Sequence, residues 1–406
     1  MKSCNRALLV YKEEYPWDVR VEKIAEALKA EFDVTILARN KNSIDVHSQY
    51  NGYSIRRLPA LTSLPKPIRK AMQVSLWINP VWVYTYLKTI YQIKPSIIII
   101  RDLPLLPLAV LAKAFNKIPV IYDMAECYPL MYESSNKYGS NSLASRIIKS
   151  QSISCFFERM CLSRCSHTWV MIEESLNRAI SIAPRKNAIS IVSNTPELKD
   201  DISLHKHEGE EIRLAYVGFI TKIRGLDLLI RAIKLFVDHP LGGRAIKFDI
   251  VGKGEYRDQL IGLVKQLDLQ DVISIHGWLS HDQAAQIMEN ANVGALTYRV
   301  CSHWNHTIPN KIFDYMMHGI PVLSTNVVPI SRILRQEDCG LVATEEPESI
   351  CAHLVQLKDS KLRDRLGENG AKAVKRQYNW KNEKEVISRT VNSLITMCAC
   401  CRDLQR

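Results

Sequence analysis

The feature that most constrains the fold is a repeated alternation of a short apolar run, a polar loop and a stretch of helical spacing. Ala7 to Tyr11 opens it, Lys12 to Asp18 is the loop, Val21 to Ala30 has helical spacing, and Phe32 to Ala38 is the next strand. Parallel strands need a long crossover, usually a helix, so this order predicts a doubly wound sheet. Ser96 to Ile100, Pro119 to Tyr122, Ser166 to Ile172 and Ile189 to Ser193 continue the strands, with a helix from Leu108 to Phe115. Asn194-Thr195-Pro196 then closes the pattern, and the charged, apolar-poor stretch Glu197 to Glu211 reads as a linker. The alternation restarts with a strand at Ile212 to Val217, a helix at Leu226 to Val237, and strands at Phe248 to Val251, Val272 to His276 and Val293 to Tyr298. Two Rossmann-like domains are predicted, over 1–196 and 212–377, with a terminal helix and tail over 378–406. A chain of 406 residues, 47 % hydrophobic and 24 % charged, is long enough to bury both cores.

The net charge of +12 calls for an acidic partner such as nucleic acid, anionic lipid or a phosphorylated substrate. No acidic residue lies between Asp45 and Asp102, while Arg56, Arg57, Lys66, Arg69, Lys70, Lys88 and Lys94 occur among Trp77, Trp82, Tyr84, Tyr86 and Tyr91. This basic, aromatic tract over 56–94 has no nucleic-acid reader motif. It suits either an in-plane contact with an anionic membrane or a solvated helix face over an aromatic core. No apolar run approaches the length of a spanning helix. Met1 to Arg6 leads directly into the first strand, without a secretory signal, and the odd total of 11 Cys suits reduced thiols, so a cytoplasmic protein, peripheral on the membrane's inner face, is expected. The cluster Cys398, Cys400 and Cys401 lacks zinc spacing, and no metal site is expected.

The most informative stretch is Asn305 to Val322. Thr307 can cap, Pro309 suits a first turn and Gly319 with Pro321 supplies a stop, so a helix over Pro309 to Met317 is predicted. Ile312, Phe313, Met316 and Met317 would form its apolar stripe, with Lys311 and Asp314 three apart on the other face. A helix start, a lysine and a carboxylate can hold a phosphate and a ribose diol. The same residues also suit a core helix with a solvated Lys/Asp pair.

Pro309-Asn310-Lys311-Ile312-Phe313-Asp314-Tyr315-Met316, followed by Gly319-Ile320-Pro321-Val322, resembles the nucleotide-sugar signature of the GT-B retaining glycosyltransferases of family 4. The family's paired glutamates fall on His306, a departure, and on Asp314, which keeps a carboxylate. Asp18-Val19-Arg20-Val21 resembles one subset of the family at the first loop. Gly218, Arg224 and Gly225 match its basic loop, with Phe219 in place of the first basic residue, and Gly252 and Gly254 sit in a GxG after the next strand. Gly277-Trp278-Leu279 resembles the segment facing the base, and Tyr378-Asn379-Trp380 the start of the terminal helix. Asp102, Asp123 and Glu126 stand at strand ends, where α/β ligands collect, with Ala125 in place of the family's His; as the alternative, Asp123 and Glu126 cap a helix or pair with arginines.

The resemblance implies a GT-B fold in which two Rossmann-like domains face a cleft and the C-terminal helix crosses back to the first domain. It implies sugar transfer with retention from a UDP- or GDP-sugar to a saccharide or lipid-linked acceptor in surface polysaccharide synthesis. Arg224 and Lys311 would stabilise the leaving diphosphate, Glu126 and His306 would contact sugar, and Gly218, Gly252, Gly254, Trp278, Asn310 and Asp314 would hold the nucleotide. No cofactor and no metal are expected, and nucleic acid is not the partner. The competing readings are a nucleotide-sugar epimerase on the same fold, which would turn over without acceptor, and a non-catalytic nucleotide- or membrane-binding relative.

Overall fold

The computed structural model describes residues 5–16, 18–74, 79–116, 118–138, 149–183, 188–198 and 209–403. The chain divides into one unit of residues 1–136, 140–194 and 383–406 and another of residues 137–139 and 195–382. The expected linker lies mostly outside the described residues.

The first unit runs β1 Asn5–Val10, α1 Val19–Leu28, β2 Phe32–Ala38, β3 His47–Tyr50, β4 Tyr53–Arg57, α2 Lys66–Met72, α3 Pro80–Ile93 and β5 Ile97–Arg101. It continues α4 Pro107–Asn116, β6 Val120–Met124, α5 Tyr128–Tyr138, α6 Gln151–Leu162, β7 His167–Val170, α7 Glu173–Ile182 and β8 Ala188–Ile191. The sheet order is β3-β4-β2-β1-β5-β6-β7-β8. Every pairing is parallel except β3 with β4. Leu8, Val10, Leu37, Ile98 and Ile100 pack with Trp82, Tyr86 and Ile90 of α3 in one core.

Beyond the predicted strands, the structure adds the β3–β4 hairpin between β2 and α2. Asn51 and Gly52, with φ of 48° and 84°, form its two-residue loop. Two positive φ values match the right-handed twist of the flanking strands, and Asn-Gly is the pair that adopts them most readily.

The second unit runs β9 Ile212–Val217, α8 Leu226–Asp238, β10 Ile246–Val251, α9 Arg257–Gln266, β11 Ile273–Gly277, α10 His281–Asn290 and β12 Val293–Leu296. It continues α11 Lys311–Met317, β13 Val322–Thr325, α12 Val328–Gln336, β14 Gly340–Ala343, α13 Pro347–Gln356 and α14 Ser360–Arg376. Its sheet is parallel, in the order β11-β10-β9-β12-β13-β14. The winding direction therefore reverses between β9 and β12, as it does between β1 and β5 in the first unit. In doubly wound sheets ligands bind outside the carboxyl ends of the strands at such a reversal.

The last helix, α15, spans Trp380–Asp403, and its residues from Glu383 onward belong to the first unit. There the Ser193 amide donates to Glu383 at 3.0 Å, and Ser388 and Asn392 bond to Glu31 at 3.2 and 3.1 Å.

Candidate functional site

In the second unit the reversal is lined from both sides. Gly218 follows β9, and its amide donates to the Val251 carbonyl at 2.8 Å, while the Gly252 amide donates to the Gly277 carbonyl at 2.6 Å. A Cβ on Gly252 would lie 1.8 Å from the Gly218 oxygen, and one on Gly254 would lie 2.0 Å from the Ile220 oxygen. These two glycines of the GxG thus admit the neighbouring loop's backbone. A Cβ on Gly218 would come within 2.7 Å of Lys311 Cε and 2.8 Å of its Nζ, so the lysine lies on bare backbone at the end of β9.

Both basic residues singled out in this unit rest on aromatic rings. Lys311 Nζ is 5.9 Å from the Tyr216 ring centre. The Arg224 guanidinium, in the turn Lys222–Arg224, stands 4.7 Å from the Tyr298 ring and 4.5 Å from the Trp304 ring. Tyr298 and Trp304 are themselves buried, 4.6 Å apart between ring centres. A ring face holds a cation by its quadrupole. Sequence reasoning missed these rings, because the partners of each contact are far apart in the chain.

The helix predicted over Pro309 to Met317 starts at Lys311, two residues later than expected. Thr307 does not cap it: it ends the preceding turn, Trp304–His306, in an extended conformation, and exposed Asn310 takes the N-cap place without a side-chain bond. The apolar stripe is as expected, with Ile312, Phe313, Met316 and Met317 buried. Lys311 and Asp314, half-buried, line a cavity of about 410 Å³ with Val217, Met288, Glu289 and His318. The lining from α10 carried no motif and could not be read from the sequence.

His306 is half-buried, with Nδ1 2.9 Å from the Ser302 carbonyl oxygen, so one ring nitrogen is committed to backbone. The neighbouring His303 is buried against Trp304, and desolvation, with Arg224 and His306 nearby, pushes its pKa down to about 4. It is neutral at pH 7. Trp278 is 71 % exposed with the Lys253 ammonium 4.6 Å over its ring.

The acidic residues at the first unit's strand ends behave differently. Asp123 is fully buried, and Arg20 holds both its oxygens with bonds of 2.5 to 3.1 Å. The expectation that Asp123 lines a crevice is therefore corrected: its carboxylate is consumed by the arginine of Asp18-Val19-Arg20-Val21. Asp18 caps α1 by accepting from the Val21 amide at 2.9 Å and also pairs with Arg101. Asp102, 4 % exposed, has Lys12 Nζ 3.7 Å away, and Lys12 in turn donates to the Tyr128 hydroxyl. Glu126 is half-buried between β6 and α5.

The basic tract over 56–94 is not one surface. Arg57 is 3 % exposed and donates to Asp45, Ser48 and Tyr15, while Trp82 and Tyr86 are core residues of α3. What remains outside on α3 is Tyr84, with Lys88 5.9 Å from its ring, and Tyr91. Trp77 lies outside the described residues. Among the described residues no helix is long and apolar enough to cross a membrane.

Residues 199–373 match the family described as glycosyl transferases group 1. That match covers less than half of the chain. Among its curated relatives is a chitobiosyldiphosphodolichol beta-mannosyltransferase of Debaryomyces hansenii, 26 % identical over 171 residues, 39 % of this chain and 36 % of that one. The chain spans less than half the length of the first curated relatives it matches. Solved structures share the fold along almost the whole chain. Sucrose-phosphate synthase from Thermosynechococcus elongatus superposes with a TM-score of 0.76 at 15 % identity, over 97 % of this chain and 100 % of that one. Anabaena HepE in complex with UDP-glucose superposes with a TM-score of 0.69 at 13 % identity, over 96 % and 99 %. The fold is GT-B, with two Rossmann-like units.

Proposed function

We propose that the protein is a retaining glycosyltransferase that moves a sugar from a nucleoside diphosphate sugar to a saccharide or lipid-linked saccharide. The observation that carries this is the placement of Lys311 against Gly218 at the strand-order reversal, one helical turn from Asp314 in the same cavity. A diphosphate beside Lys311 and Arg224 meets two cations, and Asp314 can accept both hydroxyls of a ribose. The UDP-glucose bound by HepE and the lipid diphosphate in the mannosyltransferase's name support a UDP-sugar donor and a lipid-linked acceptor.

As the bond from the sugar's anomeric carbon to the diphosphate oxygen breaks, negative charge grows on the leaving phosphate. Cations already held in place stabilise that charge without reorganising, and this is where Lys311 and Arg224 act. Retention follows from attack by an acceptor hydroxyl on the face the diphosphate leaves, with the hydroxyl proton passing to the departing phosphate oxygen. His306, through its Nε2, is assigned to the donor sugar and Glu126 to the acceptor. No metal has a part in this scheme.

Calorimetry with UDP and GDP, on the native protein and on Asp314→Ala, tests it. The native protein is expected to bind one of them, and Asp314→Ala to bind it more weakly by about 1–3 kcal/mol, the cost of unpaired hydroxyls. Undiminished binding by the variant removes Asp314 from the site, and binding of neither nucleotide defeats the reading.

A further inference from the structure

The sheet face that carries Leu8, Val10 and Leu37 beneath α3 does not stay apolar. Alternation along the strands puts Arg6 of β1, Asp33 and Thr35 of β2, and Ser54 and Arg56 of β4 on that same face. The register sets Arg6 beside Asp33 and Thr35 beside Ser54. Together with His47 of β3 and Gln92 at the end of α3, they line a cavity of about 600 Å³. This size falls within the range of small-molecule sites. Packing against α3 does not call for this chemistry, and positions where local chemistry departs from what the fold needs are expected at functional sites.

Both arginines are fixed, yet by neutral groups. Arg6 donates to the Ile93 carbonyl at 2.7 Å, and Arg56 donates to the side-chain oxygen of Gln92, so the last turn of α3 orients both guanidiniums. Burial holds Arg56 below its ordinary pKa. Two oriented guanidiniums that keep their charge are matched by an oxyanion. The exposed Asp33 carboxylate in the same cavity would repel a bare anion but accepts hydrogen bonds from hydroxyls, as do Thr35 and Ser54.

We propose that this cavity binds a free sugar phosphate, the phosphate on Arg6 and Arg56 and the sugar hydroxyls on Asp33, Thr35 and Ser54. The site lies wholly in the first unit and does not depend on the donor reading.

Calorimetry of the full chain with glucose 6-phosphate, inorganic phosphate and glucose tests it. Glucose 6-phosphate is expected to bind, with inorganic phosphate and glucose weaker by at least about tenfold. Arg6→Met and Arg56→Met should each weaken glucose 6-phosphate by about tenfold or more, the loss of one charged hydrogen-bonding group. Asp33→Asn, on an exposed position that leaves folding intact, should weaken glucose 6-phosphate and not inorganic phosphate. Asp314→Ala should bind glucose 6-phosphate like the native protein. Absence of binding, unchanged affinity in both arginine variants, equal affinity for inorganic phosphate, or loss of binding in Asp314→Ala each overturns the assignment.

Discussion

The two strand-order reversals of this molecule are built from the same kinds of residue and put them to opposite uses. At the end of β1 and β5, Lys12, Asp18, Arg20, Arg101, Asp102 and Asp123 are paired with one another and largely buried. At the end of β9 and β12, Lys311 and Arg224 rest on Tyr216, Tyr298, Trp304 and the bare backbone of Gly218. A cation paired with a carboxylate has little net charge left for a ligand, whereas Lys311 on the Tyr216 ring keeps its charge. The first reversal reads as scaffold and the second as a receptor for negative charge.

Breaking the scaffold is expected to give the largest effect. Arg20→Ala leaves the fully buried Asp123 unpaired, and urea unfolding should show a loss of about 3–5 kcal/mol. The double change Arg20→Met with Asp123→Leu removes both charges and should recover much of it; a milder single than double variant would mean that the pair is not what stabilises this end.

At the receptor the same kind of truncation should leave stability nearly untouched and act on rate. Lys311→Ala and Arg224→Ala are each expected to lower turnover by about ten- to a thousandfold, the range for losing one charge-stabilising donor. Neither the native rate nor these losses should change with EDTA. A native rate in both variants would remove the clamp, and the contrast between the reversals with it.

A smaller effect concerns pH. His303 has a folded pKa of about 4, below its ordinary 6.5, so between those values the unfolded chain binds the extra proton. Stability from this residue is therefore full above pH 6.5 and falls as pH drops toward 4, by a few kcal/mol at most at about 1.4 kcal/mol per unit. His303→Gln should flatten that part of the stability curve for the second unit; an unaltered slope would locate the acid sensitivity elsewhere, with His167 of the first unit, also held down to about 4 by burial, as the next residue to change.

The smallest effect is expected at the surface. If α3 lies on an anionic membrane, Lys88→Gln with Tyr91→Ala should reduce flotation on phosphatidylglycerol vesicles by a few-fold, since each basic residue near such a surface contributes about 1 kcal/mol. Equal flotation of variant and native protein would leave these side chains as ordinary solvated groups.

The order of elements was legible because apolar runs and helical spacing are local: β2 and β9 have the predicted bounds, Phe32–Ala38 and Ile212–Val217. The β3–β4 hairpin has its signal in Asn51-Gly52, but its strands are short and lack a long apolar run. Lys311 and Asp314 could be singled out because they fall three apart on one short helix. Chemical type alone left open which charges are available. Asp123 and Asp314 are both carboxylates near a strand end, and only the fold brings Arg20 to the first, 103 residues away.

The sequence by itself thus determined the two Rossmann-like units and the residue types on the helix from Lys311, since each depends on neighbours within a few positions. Tertiary structure decided which strand-end charges cancel, which rings carry Arg224 and Lys311, and that polar residues of β1, β2 and β4 gather beyond the end of α3. Those outcomes depend on distance in space between residues remote in the chain, and electrostatic and cation–π energies follow that distance and not the spacing along the sequence.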